Sequence, residues 1–540
     1  MGSRVFVNGR IYVSIIPKRI VDSILVINGR VVFAGKRSEA IDLGKRFSAE
    51  IIDLNNKVVL PGFIDTHLHL DGIGSYLNTL DLRDVRSIRE LKERLKRYYE
   101  EKRDLKWIIG RGWDQELFEE KRWPTRWDLD EVVSDKPVIL TRVCGHAAVL
   151  NTRAMELTGL LSEYSQDVVR NERGEATGIV RENALSKAKS IMREDLSEAD
   201  FEKYMLDAMN YAASLGVTAV GFVSCDPLSL KILFRLRERT RFPVRVRIYL
   251  SPGSDPSGQD TSMLELVKRI GLRRGFGDDF MRILGFKIIA DGSLGARTAW
   301  LSKPYSDDPG TSGYPTISRE ALEKLVTEIN KLGMQLAIHA IGDKTLDMVL
   351  DIYSSLGNTK AARHRIEHAS VVRDDQLIRL RDLSPVLVVQ PHFVVTDWWA
   401  MNRLGVERIK WLYRFRDFII NKIPMSISTD SPVEPLNPWE TVYAAVTRGE
   451  FDNIPYYHYT RDQVLSIEEA LHYYTTGSAY ALGEEYSLGD LSEGKYADFV
   501  VVDRDPFETP REKIREIKNL ATIVSGEIVY ASKSDVLTML

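Results

Sequence analysis

Cysteine is almost missing. The 540 residues hold two, Cys144 and Cys225, too few for a disulfide framework, so a cytoplasmic setting is expected. No apolar run is long enough to cross a bilayer. The opening "MGSRVFVNGR" lacks a basic segment followed by an apolar core, so neither a membrane anchor nor a signal peptide is expected. An excess of one charge is missing too: 74 basic residues face 77 acidic ones, for a net charge of -3. Nucleic-acid binders carry a basic footprint, so the near balance argues against that class. There is no internal repeat and no low-complexity tract. What is present is 44% apolar and 28% charged residues, enough for a large core, in a chain long enough for two or three domains.

The two ends read as short strands. "RVFVNGRIYV" and "ILVINGRVVFAG" each set Asn-Gly between β-rich runs, a strong hairpin signal. "ADFVVVDRD" and "ATIVSGEIVYA" return to that style near the C-terminus. One small β-sandwich domain, residues 1–60 plus 485–540, is the expected arrangement; two separate β appendages are the alternative. Between them strands alternate with helices. "VVLPGFIDTHLH", "GVTAVGFVS", "VRVRIYL", "ILGFKIIADG", "MQLAIHA", "HRIEHAS", "PVLVVQPH" and "PMSISTD" read as eight buried strands. "SREALEKLVTEINKLG" runs from a Ser cap to a Gly stop, and "SIEEALHYYTTG" opens on the capping box Ser466…Glu469. Eight strands alternating with helices predict an α/β fold, a (β/α)8 TIM barrel over 61–484. The gap between strands one and two is too long for a loop. Residues 75–195 are therefore expected to form an inserted subdomain or lid on the C-terminal face.

The strand ends carry the chemistry. In "GFIDTHLHLDG" the two histidines at i and i+2, His67 and His69, share one face of strand one. Strand four carries Lys287, strands five and six end with His339 and His368, and strand eight ends with Asp430. Barrel strand ends converge on one face, where active sites are built. Singly, a strand-end His is more often a packing residue, Lys287 an ion-pair partner and Asp430 a turn residue. Jointly, four imidazoles, a carboxylate and a lysine predict a site for one or two divalent cations, zinc or a similar metal.

Those positions, with "PGFIDTHLH", "DGSLGARTAWLSKPY", "RIEHAS" and "STDSPVEPLNPW", resemble the amidohydrolase superfamily over nearly the whole chain. The longer phrases, with the long insertion after strand one, resemble one branch, the family 3 amidohydrolases that include N-substituted formamide deformylase. The resemblance implies that His67 and His69 bind a buried metal and that a carboxylated Lys287 bridges it to a second. It further implies that His339 and His368 bind the second metal, and that Asp430 contacts metal and handles protons. The implied enzyme is a metal-dependent hydrolase of carbon–nitrogen bonds in non-peptide amides or formamides, acting through a metal-activated hydroxide with Asp430 as general acid and base. An ester, lactone or phosphoester hydrolase on the same scaffold, or a non-catalytic scaffold protein, are the alternatives. The expected partner is a small-molecule substrate, with no nucleic acid and no membrane; self-association into a homo-oligomer is left open.

Further residues are candidates for substrate contact. His146, in "RVCGHAAVLN", lies in the insertion and resembles a family segment that reaches over the site. Arg297 and Trp300 follow strand four, Trp113 in "GRGWDQ" is a lid candidate or insert core, and His392 ends strand seven. Glu367 alternates with His368, which predicts that it turns away from the metals and pairs with an Arg. His364 shares the parity of His368 but lies deeper, as a buried structural histidine.

Overall fold

The computed structural model describes residues 2–142, 147–165, 167–254, 256 and 258–532. Eight parallel strands form its centre: β1 (Phe63–Leu68), β2 (Val217–Cys225), β3 (Arg245–Leu250), β4 (Met281–Ile289), β5 (Gln335–Ala340), β6 (Arg365–His368), β7 (Val386–Val389) and β8 (Met425–Ile427). They pair in that order. Each falls on one of the eight predicted stretches. The strands are almost wholly buried, as parallel strands covered on both faces must be. The ring is nearly closed. Just past the ends of β8 and β1, Asp430 N–H donates to His67 O at 2.8 Å and His69 N–H to Ser431 O at 2.8 Å. Strand spacing is tight at Gly285 of β4, where a Cβ would stand 1.9 Å from Gln335 O on β5.

Helix ends follow the local signals. Ser318 caps Arg319–Lys331 by accepting from Ala321 N–H at 3.2 Å, and Gly333 follows at φ 70°. The capping box Ser466–Glu469 opens Ile467–Tyr474.

The chain ends meet in one sheet. Phe499–Val502 pairs antiparallel with Val58–Pro61 in a six-stranded sheet that also holds Arg10–Ser14 and Asn519–Val524. A four-stranded sheet holds Arg4–Val7, Ser23–Ile27, Arg30–Gly35 and Glu50–Asp53. One apolar cluster draws on both sheets, with Phe6 edge-on to Phe499 at 5.0 Å. The two Asn-Gly pairs part company here. Asn28 and Gly29 both take positive φ, 49° and 79°, and turn a hairpin between Ser23–Ile27 and Arg30–Gly35. Asn8 has φ 57°, but Gly9 does not follow it, and the strands on either side belong to different sheets. There the chain crosses between sheets, with Gly9 tight against Leu54. Arg245 at the start of β3 ties the barrel to the C-terminal strands, donating to both oxygens of Asp498 at 2.7 and 3.0 Å. Removing one partner of such a buried pair costs about 3–5 kcal/mol.

Asp71–Asp207 is a compact unit of its own, built on a six-stranded sheet and two apolar clusters. Its helix Ile88–Glu101 starts at Ser87, whose hydroxyl accepts from Glu90 N–H at 3.0 Å. Among the described residues no helix is long and apolar enough to cross a membrane.

Candidate metal centre

The four strand-end histidines form a row. Ring centroids lie 5.8 Å apart for His69 and His67, 4.9 Å for His67 and His368, and 4.5 Å for His368 and His339. Asp430 Oδ1 sits 3.2 Å from the Nε2 atoms of both His67 and His69. Ligand atoms of His67, His368 and Asp430 all lie within 4.8 Å of one another. Two of these residues adopt backbone that side-chain-bearing residues rarely take: His368 has φ 75° and Asp430 φ 62°. Such strain clusters where a side chain must be re-aimed at the end of a strand.

The far nitrogens are committed. His67 Nδ1 bonds Glu367 Oε2 at 2.5 Å, and His368 Nδ1 faces Gln390 Oε1 at 2.8 Å. A carboxylate accepts only, so the His67 proton belongs on Nδ1 and its Nε2 lone pair faces the Asp430 oxygen. Two lone pairs at that distance call for a positive charge between them. The donor set of imidazole nitrogens and one carboxylate suits a divalent cation such as zinc, and an acid behind a ligating histidine is the usual support. The electrostatics agree. Burial, with neighbouring His339 and His67, pushes the His368 imidazole well below its ordinary 6.5, so it stays neutral and able to ligate. Burial raises the Asp430 carboxyl, but the positive charge of protonated His67, His69 and His368 outweighs it and holds Asp430 well below the usual carboxylate range; with these imidazoles neutral, a cation between them would have to supply that charge.

Lys287 on β4 is 2% exposed, and burial brings its ammonium down to about 8 against the opposing pull of Glu367 and Asp430. It pairs with no carboxylate among the described residues. His339 Nε2 lies 3.1 Å from Gly292 O and 3.4 Å from Asp291 Oδ1.

Glu367 pairs with an arginine, Arg365, at 2.7 Å through each oxygen. It does not turn away from the site, because its Oε2 also holds His67. Strand alternation fails there because the left-handed turn at His368 and Ala369 (φ 75° and 45°) redirects the chain. Arg365 holds the Glu367 carboxyl far below its usual range against the cost of burial. Asp291 was not singled out in the sequence, yet its buried carboxylate collects N–H groups of Trp300 (3.0 Å), Ile341 (3.0 Å) and Gly342 (2.8 Å). Asp65 likewise accepts from His67 N–H and Thr429 N–H, each at 3.2 Å, joining the strands that carry His67 and Asp430; burial raises its carboxyl to about 7. Asp and Gln are too common for these roles to show before the strands are assembled.

The candidate substrate residues scatter. His392 is buried at the end of β7 and bonded to Glu434. Arg297 makes a two-point ion pair with Asp307 at 3.1 and 3.0 Å. Trp300 lies under Lys344, 4.7 Å from its ring. Trp113 is fully buried in the core of the 71–207 unit, donating to Leu140 O at 2.8 Å. His146 and Cys144 lie outside the described residues. His364 is buried, accepting from Leu336 N–H at 3.2 Å and meeting Asn330 Oδ1 at 2.9 Å. Burial and then Arg274 bring its imidazole to about 4. An unfolded histidine titrates near 6.5, so the unfolded chain takes up this proton first as pH falls. The stability held by neutral His364 is full above pH 6.5 and declines toward pH 4, by up to ~3 kcal/mol. Unfolding midpoints measured across that window should fall more steeply for the wild type than for His364→Gln; parallel slopes would contradict this.

Residues 50–530 match the Amidohydrolase family, and the chain belongs to it. It is similar to an uncharacterized metal-dependent hydrolase from Pyrococcus horikoshii OT3, with 41% identity, TM-score 0.82 and coverage of 95% of this chain and 99% of that one. A second metal-dependent hydrolase, from Pyrococcus furiosus, gives 41% identity and TM-score 0.81 over 94% of this chain and 100% of the other. The N-substituted formamide deformylase of Arthrobacter pascens is 27% identical over 525 residues, covering 94% of each chain. Family and neighbours support a hydrolase with a divalent metal.

Proposed function

We propose that the protein is a metal-dependent amidohydrolase that cleaves a carbon–nitrogen bond of a small non-peptide amide or formamide. The observation that carries the reading is Asp430 Oδ1 set 3.2 Å from both His67 Nε2 and His69 Nε2, with Glu367 behind His67. His67, His69, His339, His368 and Asp430 would hold one or two zinc ions, with a carboxylated Lys287 between them. A bound cation supplies Lewis-acid polarisation of the scissile carbonyl and acidifies water. Asp430, whose carboxyl is held well below the usual range by positive charge around it, accepts the proton of the attacking water at Oδ and returns it to the leaving nitrogen. Glu367 keeps the His67 proton on Nδ1, and Gln390 orients His368. The buried surroundings of Lys287 favour its neutral amine, which adds carbon dioxide to give a carbamate and one released proton. The similarity to N-substituted formamide deformylase supports the choice of bond. The scarcity of cysteine supports a cytoplasmic setting.

The test has two arms. Purified protein should carry one to two equivalents of transition metal, and His67→Ala with His69→Ala should lower both that and turnover. Zinc- and cobalt-loaded enzyme should turn over N-formyl or N-acyl amines. Hydrolysis of lactones or esters alone would set the carbon–nitrogen assignment aside, and full metal occupancy in the double variant would remove the ligand pair.

A further inference from the structure

The end of β7 carries a second polar pair. Gln390 faces His368 Nδ1 at 2.8 Å and donates to Ser428 Oγ at 2.9 Å, two residues before Asp430. Residues 390–392 therefore stand on the barrel rim between the strands of His368 and Asp430. His392 heads the short helix Phe393–Thr396, and its Nδ1 is bonded to Glu434 Oε2, four residues beyond Asp430. Glu434 Oε1 accepts from Thr396 Oγ at 2.7 Å. The imidazole is thus clamped by the same loop that carries Asp430, and both side chains are nearly hidden, at 10% and 4% exposure.

That clamp decides which nitrogen carries the proton. Glu434 accepts only, so neutral His392 keeps its hydrogen on Nδ1 and presents a bare lone pair at Nε2. No protein group among the described residues takes that lone pair. That atom is not among the fully enclosed unpartnered polar atoms of the described residues, so it is open to solvent and a substrate group can reach it.

We infer that His392 touches the substrate and determines specificity, its Nε2 accepting a hydrogen bond from the N–H of a secondary amide or formamide. This rests on the reading above, in which Asp430 serves the leaving nitrogen: His392 is held by Glu434 of the loop that carries Asp430, and the scissile N–H is the donor that reading offers to Nε2. A carbonyl oxygen there would meet a lone pair, and a tertiary amide or an ester has no hydrogen to offer. Glu434 is a positioning residue, acting through the tautomer it enforces.

The experiment uses full-length, zinc-loaded enzyme with N-benzylformamide and N-benzyl-N-methylformamide. Wild type should favour the N–H substrate in kcat/KM by about tenfold or more, the scale of one lost hydrogen bond. His392→Phe should bring the ratio toward unity by losing far more activity on the N–H substrate than on the N-methyl one, with metal content kept. His392→Gln, which returns an acceptor, should recover part of the ratio, and Glu434→Gln should lower it. Equal loss on both substrates, or no preference in wild type, overturns the inference. If the enzyme cleaves only lactones or esters, N-methylacetamide and N,N-dimethylacetamide are compared as competitive inhibitors of that activity. Selective loss of N-methylacetamide inhibition in His392→Phe then upholds His392 while the carbon–nitrogen reading falls; unchanged inhibition by both removes His392.

Discussion

Asp430→Asn should lower kcat about 10³-fold while metal content falls far less. General acid–base groups contribute roughly 10²–10⁴-fold, and the amide cannot take a proton from water at neutral pH. The shape is kept, so the loss reads as chemistry rather than collapse. Asp430 is suited to the task because positive charge among His67, His69 and His368 overcomes the cost of burial and holds the carboxyl well below its usual range. The pH–rate profile offers a second readout. The limb owed to Asp430 should vanish in the variant, and residual activity should be nearly flat in that region. A kcat within tenfold of wild type at unchanged metal content would show that another group moves the proton.

Lys287→Ala should lose one metal equivalent and most of the activity, and short carboxylic acids should restore part of both. A lysine is an odd ligand, since its unperturbed pKa is about 10.4 and an ammonium repels cations. Here burial draws it down to about 8, and no carboxylate among the described residues pairs with it. A neutral amine that adds carbon dioxide would become an anion with two oxygens, able to reach two cations on the proposed reading. Acetate or propionate, diffusing into the space left by the side chain, supplies the same two oxygens. Metal analysis and turnover with and without added acid are the measurements. Full metal stoichiometry in Lys287→Ala would falsify the bridge.

Much of this molecule is written locally. The eight barrel strands are short Val/Ile/Leu-rich runs bounded by turn residues, and all eight form where those patterns stand. Ser318, Ser466 and Ser87 act as caps within their own few residues, so they too are legible. Parallel strand order then brings His67, His69, Lys287, His339, His368 and Asp430 to one rim by topology alone.

Other features have no local signal. Two Asn-Gly pairs look alike, yet only Asn28–Gly29 turns a hairpin, because the strands after Asn8 and Gly9 are claimed by a different sheet. Trp113 sits in an insertion of mixed character, and only its packing assigns it to the core.

The sequence by itself determined the barrel, the candidate metal-ligand residue types and the strand ends that carry them, because periodicity, caps and strand-end placement are properties of neighbouring residues. The tertiary structure alone decided which nitrogen of His67, His368 and His392 is engaged and which is left open. Glu367 lies 300 residues from His67, Glu434 lies 42 from His392, and Gln390 lies 22 from His368. A hydrogen-bond partner is set by where two strands come to rest in space, and left-handed turns at His368 and Asp430 break the alternation from which their directions would have been read.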